Sequence, residues 1–258
     1  MQANAHKPTL RLIRQGFPDR PAFGTAVSEA ILERVAAGEL EPTVRLHRPA
    51  RELAFSKQDR AAPGFPAAVA AARGAGFEPV VRLAGGRAAA FHEGSLALAW
   101  ASPADRPTTG TSERFELSSG VISSALRRLG IDARVGEIPG EYCPGAWSVS
   151  AGGRVKLAGI GQRIVAGAAH VGAVLVVTDA APLRAALESV YSALELDWIP
   201  ATAGAVDDEA PGTTLDDAEE AILAELGARF ALTEAELDRA TLTRAAELEP
   251  DHSPRPSA

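Results

Sequence analysis

The segment from residue 137 to residue 177 constrains the fold most, because it alternates short strand-like runs with glycine-bearing turns. Residues 147–150 alternate apolar and polar side chains, residues 151–153 (Ala-Gly-Gly) have turn composition, and residues 154–158 alternate again. This order is typical of a β-hairpin. Residues 159–165 and 169–177 extend the same pattern, so the segment is predicted to form an antiparallel meander.

The rest of the chain alternates between helical and strand-like patterns. Val27, Ile31 and Val35 recur every four residues, which predicts an amphipathic helix, and Gly130 is placed to end a second one. Helices are predicted for residues 23–38, 64–75, 113–129, 182–194, 214–230 and 233–247, the last capped by Thr233 with Glu236 three residues on. Further strands are predicted for residues 43–47, where a hairpin begins, and for 79–83, 88–91, 95–101 and 131–135.

This order of elements predicts an α+β fold, with a mixed, largely antiparallel sheet flanked by helices and a small C-terminal helical appendage. The formal net charge is −7, yet residues 201–258 alone hold 14 acidic residues and 4 arginines. We therefore expect a main domain at residues 1–200 and an acidic helical appendage at 201–258. The last eight residues, 251–258, are predicted to be a disordered tail.

Composition also limits the function classes. No clustered excess of Lys and Arg suggests a nucleic-acid partner. No apolar run approaches the roughly 18 residues of a membrane span, and no secretory signal is expected at the N-terminus. The single cysteine, Cys143, excludes an internal disulfide and suits a reducing compartment, so a cytoplasmic location is expected.

Lysine is scarce in this chain, with only Lys7, Lys57 and Lys156 beside 23 arginines. An ammonium is a compact point charge whose pKa moves readily on burial, which a guanidinium cannot imitate. A lysine that persists in such a chain therefore has a raised chance of a specific task. A solvated place on a strand face is the alternative for Lys156.

Cys143 is the first candidate for a nucleophile. It lies in the turn-forming sequence Gly-Glu-Tyr-Cys-Pro-Gly at residues 140–145, and catalytic groups often occupy such constrained loops. Lys156 follows thirteen residues later across the predicted hairpin, and a nearby ammonium lowers the pKa of a thiol. The alternative is that a lone cysteine is a small buried apolar residue.

Two further features could belong to a site. Gly85-Gly86 lies between two predicted strands, where a ligand could approach the main chain, although a plain turn also explains the pair. His92 could act as an acid or base, or be structural. No spacing typical of metal ligands, of a phosphate-binding loop or of a serine-hydrolase elbow is present, so no metal site is predicted.

Three motifs in consistent order resemble those of the lipoate/octanoate protein ligase superfamily. Residues 82–90 (RLAGGRAAA) resemble its Arg-x-x-Gly-Gly-x-Ala-Val block, and residues 156–162 (KLAGIGQ) its Lys-x-x-Gly-x-x-Gln block. Residues 142–145 (YCPG) resemble the cysteine loop of the octanoyl-H-protein:protein N-octanoyltransferases, the lipoyl-relay amidotransferases. The likeness covers roughly residues 20–200 and implies a fold like the biotinyl/lipoyl ligase catalytic domain.

By this resemblance, residues 1–200 would be an acyltransferase domain in which Cys143 forms a thioester with an octanoyl or lipoyl group. Lys156 would stabilise the carbonyl oxygen. Gly85 and Gly86 would line the acyl tunnel with support from Arg82, and Gly159 and Gln162 would complete the acyl-binding set. No cofactor would be required beyond the transferred octanoate or lipoate.

The implied partners are lipoyl domains of 2-oxoacid dehydrogenases, the glycine-cleavage H protein or an acyl carrier protein, with the oligomeric state left open. Arg87 replaces a glycine that adenylate-forming members usually carry, and His92 also departs from the pattern. Two alternatives remain. One is an ATP-dependent and Mg-dependent lipoate ligase that works through an acyl-adenylate, and the other is a non-catalytic protein that binds an acyl group or a lipoyl domain.

Overall fold

The computed structural model describes residues 7–104 and 110–254, which form eleven strands and eight α-helices. The strands are β1 (Thr9–Ile13), β2 (Thr43–His47), β3 (Glu52–Phe55), β4 (Glu78–Val81), β5 (Ala89–Phe91), β6 (Ser95–Ala104), β7 (Ala133–Val135), β8 (Val149–Ala151), β9 (Val155–Val165), β10 (Gly167–Val176) and β11 (Ala231–Glu234). The helices are α1 (Pro21–Ala36), α2 (Lys57–Arg60), α3 (Phe65–Gly74), α4 (Thr111–Arg128), α5 (Ala180–Ala193), α6 (Val206–Glu209), α7 (Leu215–Arg229) and α8 (Arg239–His252).

The main sheet has eight strands in the order β11-β1-β2-β6-β10-β9-β8-β7. The pairs β11–β1 and β1–β2 are parallel, and every other neighbouring pair of this sheet is antiparallel. The predicted mixed, largely antiparallel sheet flanked by helices is therefore confirmed. The neighbouring strands β10, β9 and β8 of this sheet form the antiparallel meander that the sequence predicts.

The two faces of the main sheet pack against different helices. Alternation along β2 sends Val44 and Leu46 into a core shared with α4 and α7. The opposite face meets α1, and α1 in turn packs against α8. Pro21 at the start of α1 occupies a helix position where the missing N–H costs nothing.

A second sheet of three strands, in the order β4-β3-β5, packs against α3 and α5. The expected hairpin from residue 43 is therefore wrong, because β2 and β3 lie in different sheets. Pro49 and Ala50 stand in the connection, where the proline cannot donate to a strand ladder and the chain changes direction.

The region after residue 230 differs from its predicted helix. Ala231–Glu234 forms β11, which pairs in parallel with β1, so Thr233 is not a helix cap. Helix α8 begins after Asp238, whose carboxylate accepts the backbone N–H of Thr241 at 2.8 Å. Residues 231–234 pair with β1, which is distant in sequence, and no local pattern reveals this pairing. They therefore form a strand and not the first turn of a helix.

Helix α8 also extends further than expected and ends at His252. The His252 ring is buried, with Nδ1 at 2.7 Å from the Val81 carbonyl oxygen and Nε2 at 2.7 Å from Glu29 Oε2. Disorder is therefore wrong for Asp251 and His252. Residues 255–258 of the predicted tail lie outside the described residues.

The acidic segment 201–258 contributes to both faces of the main body. Ile222 and Leu226 of α7 join the core beneath the main sheet, and Ala245 and Leu248 of α8 pack with α1. Its separation as a second domain stays a prediction. In the ranges 7–104 and 110–254, no helix combines the length and apolar character that a membrane span requires.

The capping assignment can be tested with two substitutions that each remove one carboxylate from the same segment. We expect Asp238→Ala to lower the free energy of unfolding by about 1 kcal/mol or more, because it removes the α8 cap. It also removes an ion pair with Arg34 at 2.6 Å. Glu236→Ala, at an exposed position, should change stability by less than about 0.5 kcal/mol. Denaturant unfolding measures both, and equal effects would contradict the assignment.

Candidate active site

A cavity of about 360 Å³ lies on the α1 side of the main sheet. Its walls come from α1, the residues after β4 and the loop before β8. All seven predicted site residues line it together: Cys143, Lys156, Arg82, Gly85, Gly86, Gly159 and Gln162. The cavity has the mixed apolar and polar lining that small-molecule sites usually have.

Small residues in neighbouring strands form the floor of this cavity. Ala99 of β6 is paired with Gly172 of β10, and Gly172 with Gly161 of β9. Directly paired residues lie on the same face of a sheet, so these three form a row across the strands. A Cβ at Gly161 would lie 2.9 Å from Ala84 Cβ, and one at Gly172 would lie 3.1 Å from His170 Nε2, so the glycines let these two side chains pack over the row.

The loop that carries Cys143 holds this residue in a left-handed conformation, with φ of 43°. A non-glycine residue rarely adopts this region, so surrounding contacts must hold it there. The Cys143 N–H donates to the Tyr191 hydroxyl at 2.7 Å, and that hydroxyl donates to the Ala88 carbonyl at 3.0 Å. Tyr191 of α5 thus joins the cysteine loop to the segment before β5.

Lys156 lies beneath the same loop with only 1% of its surface exposed. Its Nζ is 3.0 Å from Glu141 Oε2 and donates to the carbonyl oxygens of Tyr142 and Cys143, both at 2.9 Å. Two of these contacts are hydrogen bonds to the main chain, and the third is an ion pair, since Glu141 Oε2 makes no hydrogen bond. The structure therefore brings Lys156 to Cys143, at the main chain of the cysteine. Its role as a donor to a substrate carbonyl stays a prediction.

Glu141 is the other half of this buried pair. Its Oε1 accepts the Gly145 N–H at 3.1 Å and the Ser148 hydroxyl at 3.0 Å. The carboxylate therefore closes the loop around Cys143 from both ends. Glu141 Oε2 makes the ion pair with Lys156 but no hydrogen bond, so Oε1 supplies the hydrogen bonds by which this carboxylate holds the loop.

Arg82 and the two glycines form the opposite wall. Arg82 Nη2 donates to the carbonyl oxygens of Gly85 at 2.6 Å and Arg87 at 2.7 Å, and it lies 3.4 Å from Cys143 Sγ. Gly86 has φ of 93°, and a Cβ there would lie 2.8 Å from Cys143 Sγ. Glycine is thus required for the loop to reach the sulfur.

The electrostatic surroundings favour the thiolate of Cys143. Burial raises the pKa of the thiol, but the charges of Arg82 and Lys156 lower it. The hydrogen bonds from Arg82 and from the Arg87 N–H, at 3.2 Å, lower it further. The pKa of Cys143 lies below its ordinary value as a result, so more thiolate is present at neutral pH.

Arg87 serves the site through its main chain. Its side chain turns away toward Asp59, with Nη1 at 3.4 Å from Oδ1. Asp59 is buried and also forms a capping box with Ser56 at the start of α2. The arginine that departs from the family pattern is thus accommodated by a carboxylate from another element.

The remaining predicted residues have different surroundings. Gly159 lines the cavity beside Lys156, where a Cβ would lie 3.3 Å from Lys156 Cε. Gln162 also lines it, but its amide binds α4, accepting from Arg114 Nε at 2.8 Å and donating to the Thr111 carbonyl at 3.3 Å. His92 is buried away from the cysteine, with Nδ1 accepting from the Gly94 N–H and Nε2 at the Asp179 carbonyl.

Sequence reasoning missed Tyr191, Glu141 and a polar group at the far end of the cavity. Glu141 lies two residues before Cys143, so its position in the motif could have indicated a role in the site. Tyr191 gives no such indication, because it lies in a helix 48 residues from Cys143. The polar group contains Arg45, His47 and His170, which all line the cavity. In the described part of the chain, no group of three or more His, Cys, Asp or Glu side chains could hold a metal ion.

The arrangement can perform nucleophilic chemistry. A partly buried sulfur with a lowered pKa faces a cavity that can hold an extended ligand, and N–H donors already point at this sulfur. A thiolate of this kind attacks a carbonyl carbon to form a thioester, and nearby donors stabilise the charge that develops on the oxygen.

A family model and similar known proteins indicate the same family for this chain. Residues 20–227 match the model of the lipoyl protein ligase A/B catalytic domain. The octanoyl-GcvH:protein N-octanoyltransferase of Geobacillus kaustophilus is 31% identical over 186 residues, which cover 70% of this chain and 65% of the relative. The chain thus spans slightly less than two thirds of that relative's length.

Solved structures share the fold. Lipoate-protein ligase A bound with ATP superposes with a TM-score of 0.75 at 21% identity, covering 93% of this chain and 94% of the ligase chain. A bipartite lipoate protein ligase from Thermoplasma acidophilum, described with its E2 lipoyl domain, gives 0.73 at 21% identity, covering 94% and 92%. At this identity the likeness concerns the fold alone.

The lowered pKa of Cys143 predicts how its alkylation depends on pH. The rate rises as the thiolate forms, so its midpoint should lie below the value of about 8.5 for a free cysteine. Arg82→Met should move the midpoint to higher pH, because it removes a charge and a hydrogen bond from the sulfur. Iodoacetamide labelling at a series of pH values measures the midpoint.

Arg87→Met is the matched control, because it removes the same charge but leaves the N–H that reaches the sulfur. It should move the midpoint much less than Arg82→Met. An unchanged midpoint in Arg82→Met would show that this guanidinium does not set the reactivity of Cys143.

Proposed function

The chain belongs to the lipoyl protein ligase A/B catalytic domain family, and on that premise we propose that it transfers an octanoyl or lipoyl group between protein lysines through a thioester on Cys143. The observation that carries this proposal is the placement of a low-pKa thiol in the lining of the cavity. The relative from Geobacillus kaustophilus, named for octanoyl transfer from GcvH, supports the same activity.

The reaction would take two steps. The sulfur of Cys143 attacks the acyl carbonyl carbon on the donor, a C–S bond forms, and the C–N bond of the donor's acyl-lysine breaks. The departing amine takes up the proton that the thiol gave up. In the second step the acceptor lysine attacks the thioester, an amide forms, and the thiol is restored with a proton from the incoming amine.

The residues around the sulfur would each have a defined task. Arg82 and the Arg87 N–H stabilise the thiolate before attack. They also stand where negative charge develops on the carbonyl oxygen during attack. Lys156 keeps the loop in its left-handed turn and supplies positive charge behind it. Gly85, Gly86 and Gly159 leave space for the acyl group, and Gln162 fixes the adjacent part of β9 to α4.

The acyl donor in this proposal is an octanoylated glycine-cleavage H protein. The second source is an acyl carrier protein, from which a thioester C–S bond would break and a thiol would leave with the proton. The acceptor is the lysine of a lipoyl domain in a 2-oxoacid dehydrogenase. The T. acidophilum ligase, described with its E2 lipoyl domain, supports an acceptor of this kind. Neither ATP nor a metal ion takes part, and the free thiol suits the expected cytoplasmic location.

An ATP-dependent ligase is the second candidate, because a ligase of the same fold is known with bound ATP. It would form an acyl-adenylate and would not need Cys143. A protein that only binds an acyl group or a lipoyl domain is a third. The requirement for the thiol separates the first candidate from both others.

The acyl-enzyme can be detected directly. Incubation with octanoylated H protein, without ATP, should increase the intact mass by one octanoyl group. Hydroxylamine should remove this group, because it cleaves thioesters, and Cys143→Ser should not acquire a thioester. Mass spectrometry of the protein and of an added lipoyl domain gives both readouts. Transfer by Cys143→Ser that requires ATP would establish the ligase instead, and donor binding without transfer would establish a binding protein.

Lys156→Arg should lose most of the transfer activity. The larger guanidinium cannot make the same three contacts in a socket with 1% exposure. The matched control is Lys57→Arg, the same substitution at an exposed lysine, which should keep near-normal activity. The measurement is the initial rate of octanoyl transfer to a lipoyl domain. Near-normal transfer in Lys156→Arg would show that the site tolerates a different cation.

A further inference from the structure

The last residue of helix α8, His252, contacts the strand that leads directly into Arg82. We propose that His252 is a positioning residue for this arginine: it fixes the peptide unit between Val81 and Arg82, and thereby the guanidinium that reaches the sulfur of Cys143. The inference rests on the proposed function, since it assigns a residue that supports the proposed nucleophile. It gives the C-terminal helix a part in the site.

Helix α8 lies outside the part of the chain that matches the family model, because that match ends at residue 227. Two ion pairs hold α8 along α1. Arg34 pairs with Asp238 at 2.6 Å, at the start of α8, and Arg244 pairs with Glu33 at 2.7 Å, in its middle. Apolar side chains of both helices pack between these pairs. The last turn of α8 therefore has a defined place beside α1 and β4.

The peptide unit between Val81 and Arg82 is held from both sides. Strand β4 is an edge strand of the second sheet, with β3 as its neighbour. On that side the Arg82 N–H donates to the Phe55 carbonyl at 2.8 Å. On the outer side the Val81 carbonyl accepts from His252 Nδ1 at 2.7 Å. Because the C=O and N–H groups of one planar trans peptide unit point in opposite directions, these two bonds fix its plane.

The orientation of this peptide unit affects the sulfur because the backbone of Arg82 begins at it. The Arg82 guanidinium lies 3.4 Å from Cys143 Sγ and also holds the carbonyl groups of Gly85 and Arg87. A rotation of the peptide plane displaces the far end of a long side chain most. Loss of the His252 contact should therefore weaken the contact between Arg82 and the sulfur, and so raise the pKa of the Cys143 thiol.

Both ring nitrogens of the buried His252 face groups that only accept. Nδ1 faces the Val81 carbonyl oxygen, and Nε2 lies 2.7 Å from Glu29 Oε2. The hydrogen bond from His252 lowers the pKa of Glu29, and the charges of Lys57 and Arg163 act in the same direction, so Glu29 is a carboxylate. A ring that carries both protons satisfies the two contacts at once. It thereby joins α8 to α1 and to β4 at a single point.

Three substitutions of His252 separate its two contacts. His252→Ala removes both. His252→Asn retains a donor near the position of Nδ1, so it can keep the contact with Val81. His252→Gln retains a donor near the position of Nε2, so it can keep the contact with Glu29 but not the one with Val81. Iodoacetamide labelling of Cys143 at a series of pH values gives the alkylation midpoint of each variant.

His252→Ala and His252→Gln should raise the midpoint by about half a pH unit, which is about threefold less thiolate at a pH below the midpoint. His252→Asn should keep a midpoint close to that of the parent protein. A helix that only stabilises the fold would not separate these variants. The control is Ile222→Val, in the core on the other face of the main sheet, which should lower the unfolding temperature and leave the midpoint unchanged.

An unchanged midpoint in His252→Ala would overturn the inference. So would equal shifts in the Asn and Gln variants, or a shift in Ile222→Val as large as that in His252→Ala. If His252→Ala does not fold, as thermal unfolding would show, the Asn and Gln variants decide alone.

Octanoyl loading of Cys143 separates this inference from the proposed function. With octanoylated H protein as donor, at a pH below the alkylation midpoint, His252→Ala should lower the maximal loading rate about threefold. The donor concentration at half-maximal rate should not change, because His252 is buried outside the cavity lining. Loading at the parental rate with an unmoved midpoint overturns the inference and leaves acyl transfer intact. If the parent protein is not loaded at all, acyl transfer is overturned, and the alkylation midpoints still decide the role of His252.

Discussion

The buried ion pair between Lys156 and Glu141 is the interaction on which the candidate site depends. The ammonium fixes two consecutive carbonyl groups of the cysteine loop, while the carboxylate fixes the N–H and hydroxyl groups that follow. The pair therefore determines the path of the loop and the left-handed turn at Cys143. Loss of either partner would leave a buried charge uncompensated, so the two residues act as one unit.

The ammonium that holds the cysteine loop also lowers the pKa of the Cys143 thiol. Lys156 acts on the sulfur through its charge, while Arg82 acts through charge and a direct contact at 3.4 Å. Their combined effect outweighs the burial of the thiol, which alone would favour the neutral form. Because Arg82 also holds the carbonyl groups of Gly85 and Arg87, the same side chain places the glycine turn and tunes the nucleophile.

Local patterns in the sequence predict strands β8 to β10 and the cysteine loop. The meander from β8 to β10 follows from alternation and turn residues, and the scarcity of lysine singles out Lys156. The strands β1, β3 and β11 escape such reasoning because their parallel pairings join distant segments. Tyr191 and Arg45 could not be predicted from local patterns either. Tyr191 lies in a helix 48 residues from Cys143. An arginine in an alternating strand normally faces solvent, and only the packing of α1 places Arg45 inside.

The residues that line the cavity bear on which acyl group this chain accepts. A fold shared at 21% identity does not define a substrate, which depends on the residues in the cavity. The cysteine end recognises the acyl carbonyl, which every acyl group shares. Any discrimination between acyl groups therefore depends on the other lining residues, where the strands of the main sheet and α1 meet the rest of the ligand.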